Sequence, residues 1–289
     1  MSYLIAGHAA NLTLRVFAAD TTQLVASARA SHDLSATATA ALGRSLTGAL
    51  LLSQVLSKRD TDRVTLRIQG DGAIGYIVAE GGRDGAARGY VKYPEADLPP
   101  RVSDGKLDVG GLVGKNGEFA VMRLLENTEP YTGSVPLVSG EIADDLAAYL
   151  LQSEQIPSAV LLGVHLDLSG VTQAGGILIQ AMPNVPDHVL NRLEQNIAGL
   201  GQLTTAMRNG GLLNAVQNVL NGLNLELHED ALALEWKCRC SIERSIASLV
   251  YFSKTERQEM IEAGGQEVIC HWCGTKYQIS PAQIRGLEE

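Results

Sequence analysis

Apolar and polar positions alternate along "LTLRVFAA" (residues 12–19), a period of two that places every second side chain on one face of a strand. "RVTLRIQG" and "YIVAEGG" show the same pattern on either side of a glycine-rich turn. The period then lengthens. In "TATAALGRSLTGALLLSQVL" Leu42, Leu46, Leu50 and Leu51 recur at helical spacing. "GEIADDLAAYLLQSEQ" predicts a second helix, with Glu141, Asp144 and Asp145 in the first turns, where they complement the dipole, and Pro157 just past the end. Strands at "LGVHLDL" and "AGGILIQAM" follow, and Pro183 and Pro186 punctuate the chain. Residues 1–183 therefore read as an α+β domain of mixed strands and helices.

Beyond Pro186 the spacing is helical throughout. Leu190, Leu193, Ile197 and Leu200 form one stripe, and Leu212, Leu213, Val216, Val219, Leu220 and Leu223 another, which predicts two amphipathic helices within a helical linker over 184–234. These helices are soft: residues 187–230 hold seven asparagines and five glycines. Asn costs several tenths of a kcal/mol per helical position relative to Ala, and Gly about 1. The segment is expected to depend on its neighbours to stay folded. A third region, 235–289, contains one short predicted helix, "SKTERQEMIEAG", ended by Gly264 and Gly265.

Composition narrows the partners. A net charge of -9 argues against broad electrostatic attraction to nucleic acid or anionic membrane. No apolar run reaches the roughly 18–20 residues of a membrane-spanning helix. "MSYLIAGHAANLTLRV" lacks a basic n-region, a long apolar run and a cleavage site, so the expectation is a cytoplasmic protein, in which thiols stay reduced. Asn11-Leu12-Thr13 fits the glycosylation sequon, a chance match without secretion.

The four cysteines of the chain are Cys238 and Cys240 in "WKCRCS", and Cys270 and Cys273 in "ICHWCG". C-x-C, about thirty residues, then C-x-x-C matches the ligand count and pairwise clustering of a tetrahedral zinc–thiolate site with all four as ligands. Each pair is a two-toothed clamp, and the loop between brings the clamps together around one Zn2+ per chain. His271 lies between two of the cysteines, but four thiolates already fill the shell. The simplest role for the ion is structural, because the residues from Glu235 onward are too few to fold dependably on an apolar core alone. Zinc-bound sulfur is also thiolate, the form that peroxide attacks, and Lys237, Arg239 and Lys276 lie near enough in sequence to stabilise it.

On these residues the chain resembles the redox-regulated heat-shock chaperones, the thirty-three-kilodalton heat-shock protein family. The resemblance rests on "CRCS", "EMIEAGG" and "VICHWCGTKY". It extends through "TAALGRSLTGALLLS", "IQGDGAIGYIVAE", "GKLDVGGLVG", "VSGEIADDLAAYLLQSEQIPSAVLLGV" and "GGILIQAMP", so it covers essentially the whole chain. It implies an ATP-independent holdase with no catalytic site, inactive while reduced and zinc-loaded. Oxidation with unfolding stress would form the disulfides Cys238–Cys240 and Cys270–Cys273, release zinc, and unfold the C-terminal domain and linker. The opened surface would bind unfolding client proteins, often with dimerisation. The match loosens through "SIASLVYFSK".

Two readings from other classes stand beside it: a thiol-disulfide oxidoreductase using C-x-x-C, and a zinc-ribbon module that binds nucleic acid. Four-cysteine clustering argues against the first and the acidic chain against the second. Gly70-x-Gly72-x-x-Gly75 fits the dinucleotide-binding pattern, but the following segment is strand-like, so a glycine-rich turn is expected. His8, His32, His165, His188 and His228 are scattered and read as surface or packing residues.

Overall fold

A helix that is apolar on all sides must be buried, and Ala36–Leu56 is such a helix, with Leu42, Leu46, Leu50, Leu51 and Leu52 fully buried. It follows β1 (Tyr3–Ala9), β2 (Leu14–Asp20) and α1 (Thr22–His32), and so is α2. Ser35 caps it, its hydroxyl accepting from the Ala38 amide at 3.1 Å. The computed structural model describes residues 1–287 and contains two compact units, Met1–Trp236 and Lys237–Glu289.

In the first unit α2 packs against two sheets. The strands after it are β3 (Arg63–Gln69), β4 (Tyr76–Gly82), β5 (Ala86–Val91), β6 (Glu118–Leu124), β7 (Tyr131–Pro136), β8 (Ser158–Asp167) and β9 (Gly170–Ala181). Between them lie α3 (Val109–Val113) and α4 (Ala143–Gln152). Next come α5 (Asp187–Leu200), α6 (Leu203–Val219), β10 (Glu226–Leu227), β11 (Leu232–Ala233) and β12 (Glu235–Trp236). One sheet runs β10-β1-β2-β9-β8, with β11 also on β1; the other runs β12-β5-β4-β3-β6-β7. All pairings are antiparallel except β12 with β5.

β2 and β9 are apolar on both faces. Phe17, Ala19, Ala174 and Leu178 join the central core with α2, while Leu14, Val16, Ala18, Ile177 and Ile179 face the other way. That second face is covered by Val189 and Leu193 of α5 and by Leu203, Met207, Leu212, Ala215, Val216 and Val219 of α6. The predicted linker helices are thus the outer cover of a sheet. Gly211, at φ 76°, kinks α6, and just past the kink Leu212 is buried while its neighbour Leu213 is 45% exposed. Leu213 is outside the apolar stripe that spacing assigned it.

One other expectation needs revision. Glu141 precedes α4 and bridges Arg44 and Arg101 rather than complementing the dipole. Asp145 is fully buried, and its carboxylate accepts from the amides of Val138, Ser139 and Ile142 at 2.7, 3.0 and 2.9 Å. It holds the β-branched Ile142 at φ 72°, a conformation costing about 1–3 kcal/mol. Asp145→Ala leaves those donors unsatisfied and is expected to lower the unit's stability by about 3 kcal/mol, read from the urea midpoint.

The Gly70–Gly75 segment is the turn between β3 and β4. A Cβ on Gly70 or Gly72 would lie 2.1 or 2.2 Å from the carbonyl oxygens of Val113 and Leu112. These glycines let the turn rest on the carbonyl end of α3, the opposite polarity to a phosphate site.

Candidate metal-binding thiol cluster

The second unit contains α7 (Ile242–Ser248), a 3-10 turn, α8 (Lys254–Glu262), the hairpin β13 (Gln266–Ile269) and β14 (Lys276–Ile279), and α9 (Pro281–Arg285). Each helix has a serine N-cap: Ser241, Ser253 and Ser280, the last two in reciprocal capping boxes. Among the described residues Leu249, Ile279 and Ile284 form its buried apolar core.

The C-x-x-C pair occupies the hairpin turn. The Cys270 amide donates to the Thr275 carbonyl at 2.9 Å and the Gly274 amide to the Cys270 carbonyl at 2.8 Å, backbone bonds that close the turn around this clamp. The C-x-C pair lies just before the Ser241 cap of α7, and Arg244 donates to the Arg239 carbonyl between its two thiols at 2.7 Å.

The fold brings all four sulfurs within 4.8 Å of one another. Cys238 Sγ lies 3.7 Å from Cys270 Sγ, and Cys240 Sγ 3.4 Å from Cys273 Sγ. A tetrahedron with metal–sulfur bonds of about 2.3 Å has edges of about 3.8 Å, so the donor set fits a zinc-type ion. His271 is exposed and outside the group. Lys276 engages Glu267 at 3.6 Å.

The electrostatics point the same way. Burial pushes the Cys270 thiol up to about 12, and the neighbouring thiols reinforce the shift. Burial opposes ionisation of Cys273 too, but hydrogen bonds from Thr275 and the other thiols outweigh it and bring Cys273 down to about 7. Cys240 is raised, by burial first. Adjacent thiols resist ionising together, and a central divalent cation removes that resistance. Two contacts escaped the sequence reading: the Tyr277 hydroxyl, 3.1 Å from Cys240 Sγ, and the Thr275 hydroxyl, 3.2 Å from Cys273 Sγ. Their signal was the "GTKY" that follows the last cysteine.

A small unit built around a tetrathiol cluster, following an α+β unit in the chain, is an architecture shared with known proteins. The family model described as Hsp33 protein matches residues 2–280. A 33 kDa chaperonin of Deinococcus radiodurans is 57% identical over 286 residues, covering 99% of this chain and 98% of the relative. One from Thermus thermophilus is 49% identical, covering 99% and 86%. The crystal structure of the 33 kDa chaperonin, an Hsp33 homologue, from Thermotoga maritima superposes with a TM-score of 0.92 at 34% identity, covering 99% and 97%. The chain belongs to the Hsp33 family of chaperones. Among the described residues no helix is long and apolar enough to cross a membrane.

Proposed function

We propose that this chain is an ATP-independent holdase switched on by oxidation. The convergence of every thiol of the chain on one metal-sized site is the observation that carries the reading. Cys238, Cys240, Cys270 and Cys273 hold one Zn2+ in the reduced state. Bound zinc keeps the four sulfurs as thiolates and ties the two clamps together. Each clamp then reacts as a pair. Two thiolates give two electrons to one hydrogen peroxide, an S–S bond forms, the O–O bond breaks, and two protons from water complete two molecules of water. The disulfides Cys238–Cys240 and Cys270–Cys273 leave no thiolate to hold the ion.

With its clamp gone the second unit unfolds, and the stretch 184–234 that immediately precedes it loosens. The cover helices α5 and α6 then expose the apolar face of Leu14, Val16, Ile177 and Ile179 to unfolding clients. Dimerisation of the opened form and a cytoplasmic location belong to the same reading. An oxidoreductase role is less well supported, because the C-x-x-C pair sits in a hairpin turn rather than at a helix N-terminus.

Light scattering of a heat-denaturing client is the direct test, run with reduced and peroxide-treated protein while a chelating dye follows zinc. Suppression only after treatment, in step with zinc release, is expected. Equal suppression by both forms, or catalytic insulin reduction, contradicts the proposal.

The asparagines of the cover separate by role. Asn196 Nδ2 donates to the carbonyls of Val219 and Asn221 at 3.0 and 2.9 Å, tying α5 to the end of α6. Asn214 and Asn218 pair with each other on the exposed side of α6. Asn196→Ala is expected to speed activation and Asn214→Ala with Asn218→Ala to slow it, measured as the half-time of aggregation suppression after oxidation.

A further inference from the structure

The return segment, residues 226–233, passes beside β1 with a bulge. Leu227 opposes Gly7 and Leu232 opposes Leu4, so five steps of this segment span three of β1. Beneath the bulge lies a cavity of about 310 Å³ whose polar lining includes His8, Arg15, Arg83, His228 and Asp230. Its character is unusual for a chain of net charge -9. Strand register sets His8 directly opposite Arg15, and His8 Nδ1 lies 3.4 Å from His228 Nε2. Basic side chains gathered in this way around one cavity form a lining suited to an anion.

The two guanidiniums are half-buried. Arg44, Arg63, Arg88, Arg101 and Arg123 of the same unit each face a carboxylate. Arg15 and Arg83 have no carboxylate partner among the described residues. Arg15 is held over the Phe17 ring at 5.3 Å, and Arg83 spends Nη1 on the carbonyls of Gln54 and Ser57. Fixed, partly desolvated guanidiniums with donors to spare are the usual means of recognising phosphate.

We propose that this cavity binds a short phosphate chain, which bridges β1 and β2 to the return segment. Contacts to Arg15 and Arg83 come from the core and contacts to His228 from the bulge, so an occupied site holds residues 226–233 in place. The Asp230 carboxylate on the same wall opposes the anion. This proposal is independent of the thiol chemistry, because the ligand and the residues all belong to the first unit.

Calorimetric titration of the full-length reduced protein with tripolyphosphate and with ATP tests it. Saturable binding is expected, with tripolyphosphate binding at least as tightly as ATP and limited proteolysis within 228–231 slowed on saturation. Arg15→Gln is expected to weaken binding about tenfold or more. The exposed-segment variant His228→Gln is expected to weaken it several-fold, and Asp230→Asn to tighten it. No saturable heat, binding of ATP alone, or affinities unchanged in H228Q and D230N would overturn the proposal. Because H228Q and D230N alter exposed positions, the outcome does not depend on R15Q folding.

Discussion

Stripping the proposed zinc from the reduced protein with a strong chelator is expected to unfold the second unit and leave the first folded. The three buried apolar residues Leu249, Ile279 and Ile284 are a small core for a unit of this length, and Val250 and Tyr251 are spent on the surface, 55% and 92% exposed. Structural zinc is worth about 10–16 kcal/mol, nearly all of it folding free energy. Cys238→Ser should act in the same direction, since a neutral hydroxyl is a poor ligand and the three remaining thiols leave the shell incomplete. Loss of dispersed amide resonances from this unit, with the melting transition of Met1–Trp236 retained, is the expected readout. Full zinc content in C238S with an unchanged spectrum would exclude the four-thiol site.

Leu212→Ala is expected to give a chaperone that is partly active without oxidant. Leu212 is 1% exposed and fills the contact between α6 and the outer face of β2 and β9. Truncating a buried leucine costs about 2–5 kcal/mol, and here the loss falls on docking of a helix already weakened by glycine and asparagine. The opened fraction should rise, seen as faster amide exchange over 187–223 and as suppression of client aggregation by reduced protein. Leu213→Ala is the control. Its side chain is 45% exposed, and its removal should leave both readouts near the wild type. Equal behaviour of the two variants would separate client binding from the α6 cover.

These two adjacent leucines mark where the sequence stops being readable. Periodicity located α2, α4, the β3–β4 turn and both cover helices, because apolar spacing is a local property. The stripe begins at Leu212, past the kink at Gly211, and spacing alone could not tell that Leu212 turns into the core while Leu213 stays 45% exposed. Asp145 lies in the first turn of α4 as its position implied, but its burial and its four amide donors depend on the loop folding back. The thiol cluster was legible because four cysteines at metal spacing have few other uses in a reduced protein. The pairing of His8 with His228 was not, since the contact joins β1 to the residue after β10, 220 positions away, and no spacing rule reaches that far.

The position of the return segment also has a consequence for biosynthesis. The sheet containing β1, β2 and β9 has all of these strands available once residue 181 has left the ribosome, but its cover and the closing strands β10 and β11 end only at residue 233. At typical translation speeds that interval is about 3–10 s. Every nascent copy therefore passes through a stage with its sticky face open, before the segment that shuts it has been made.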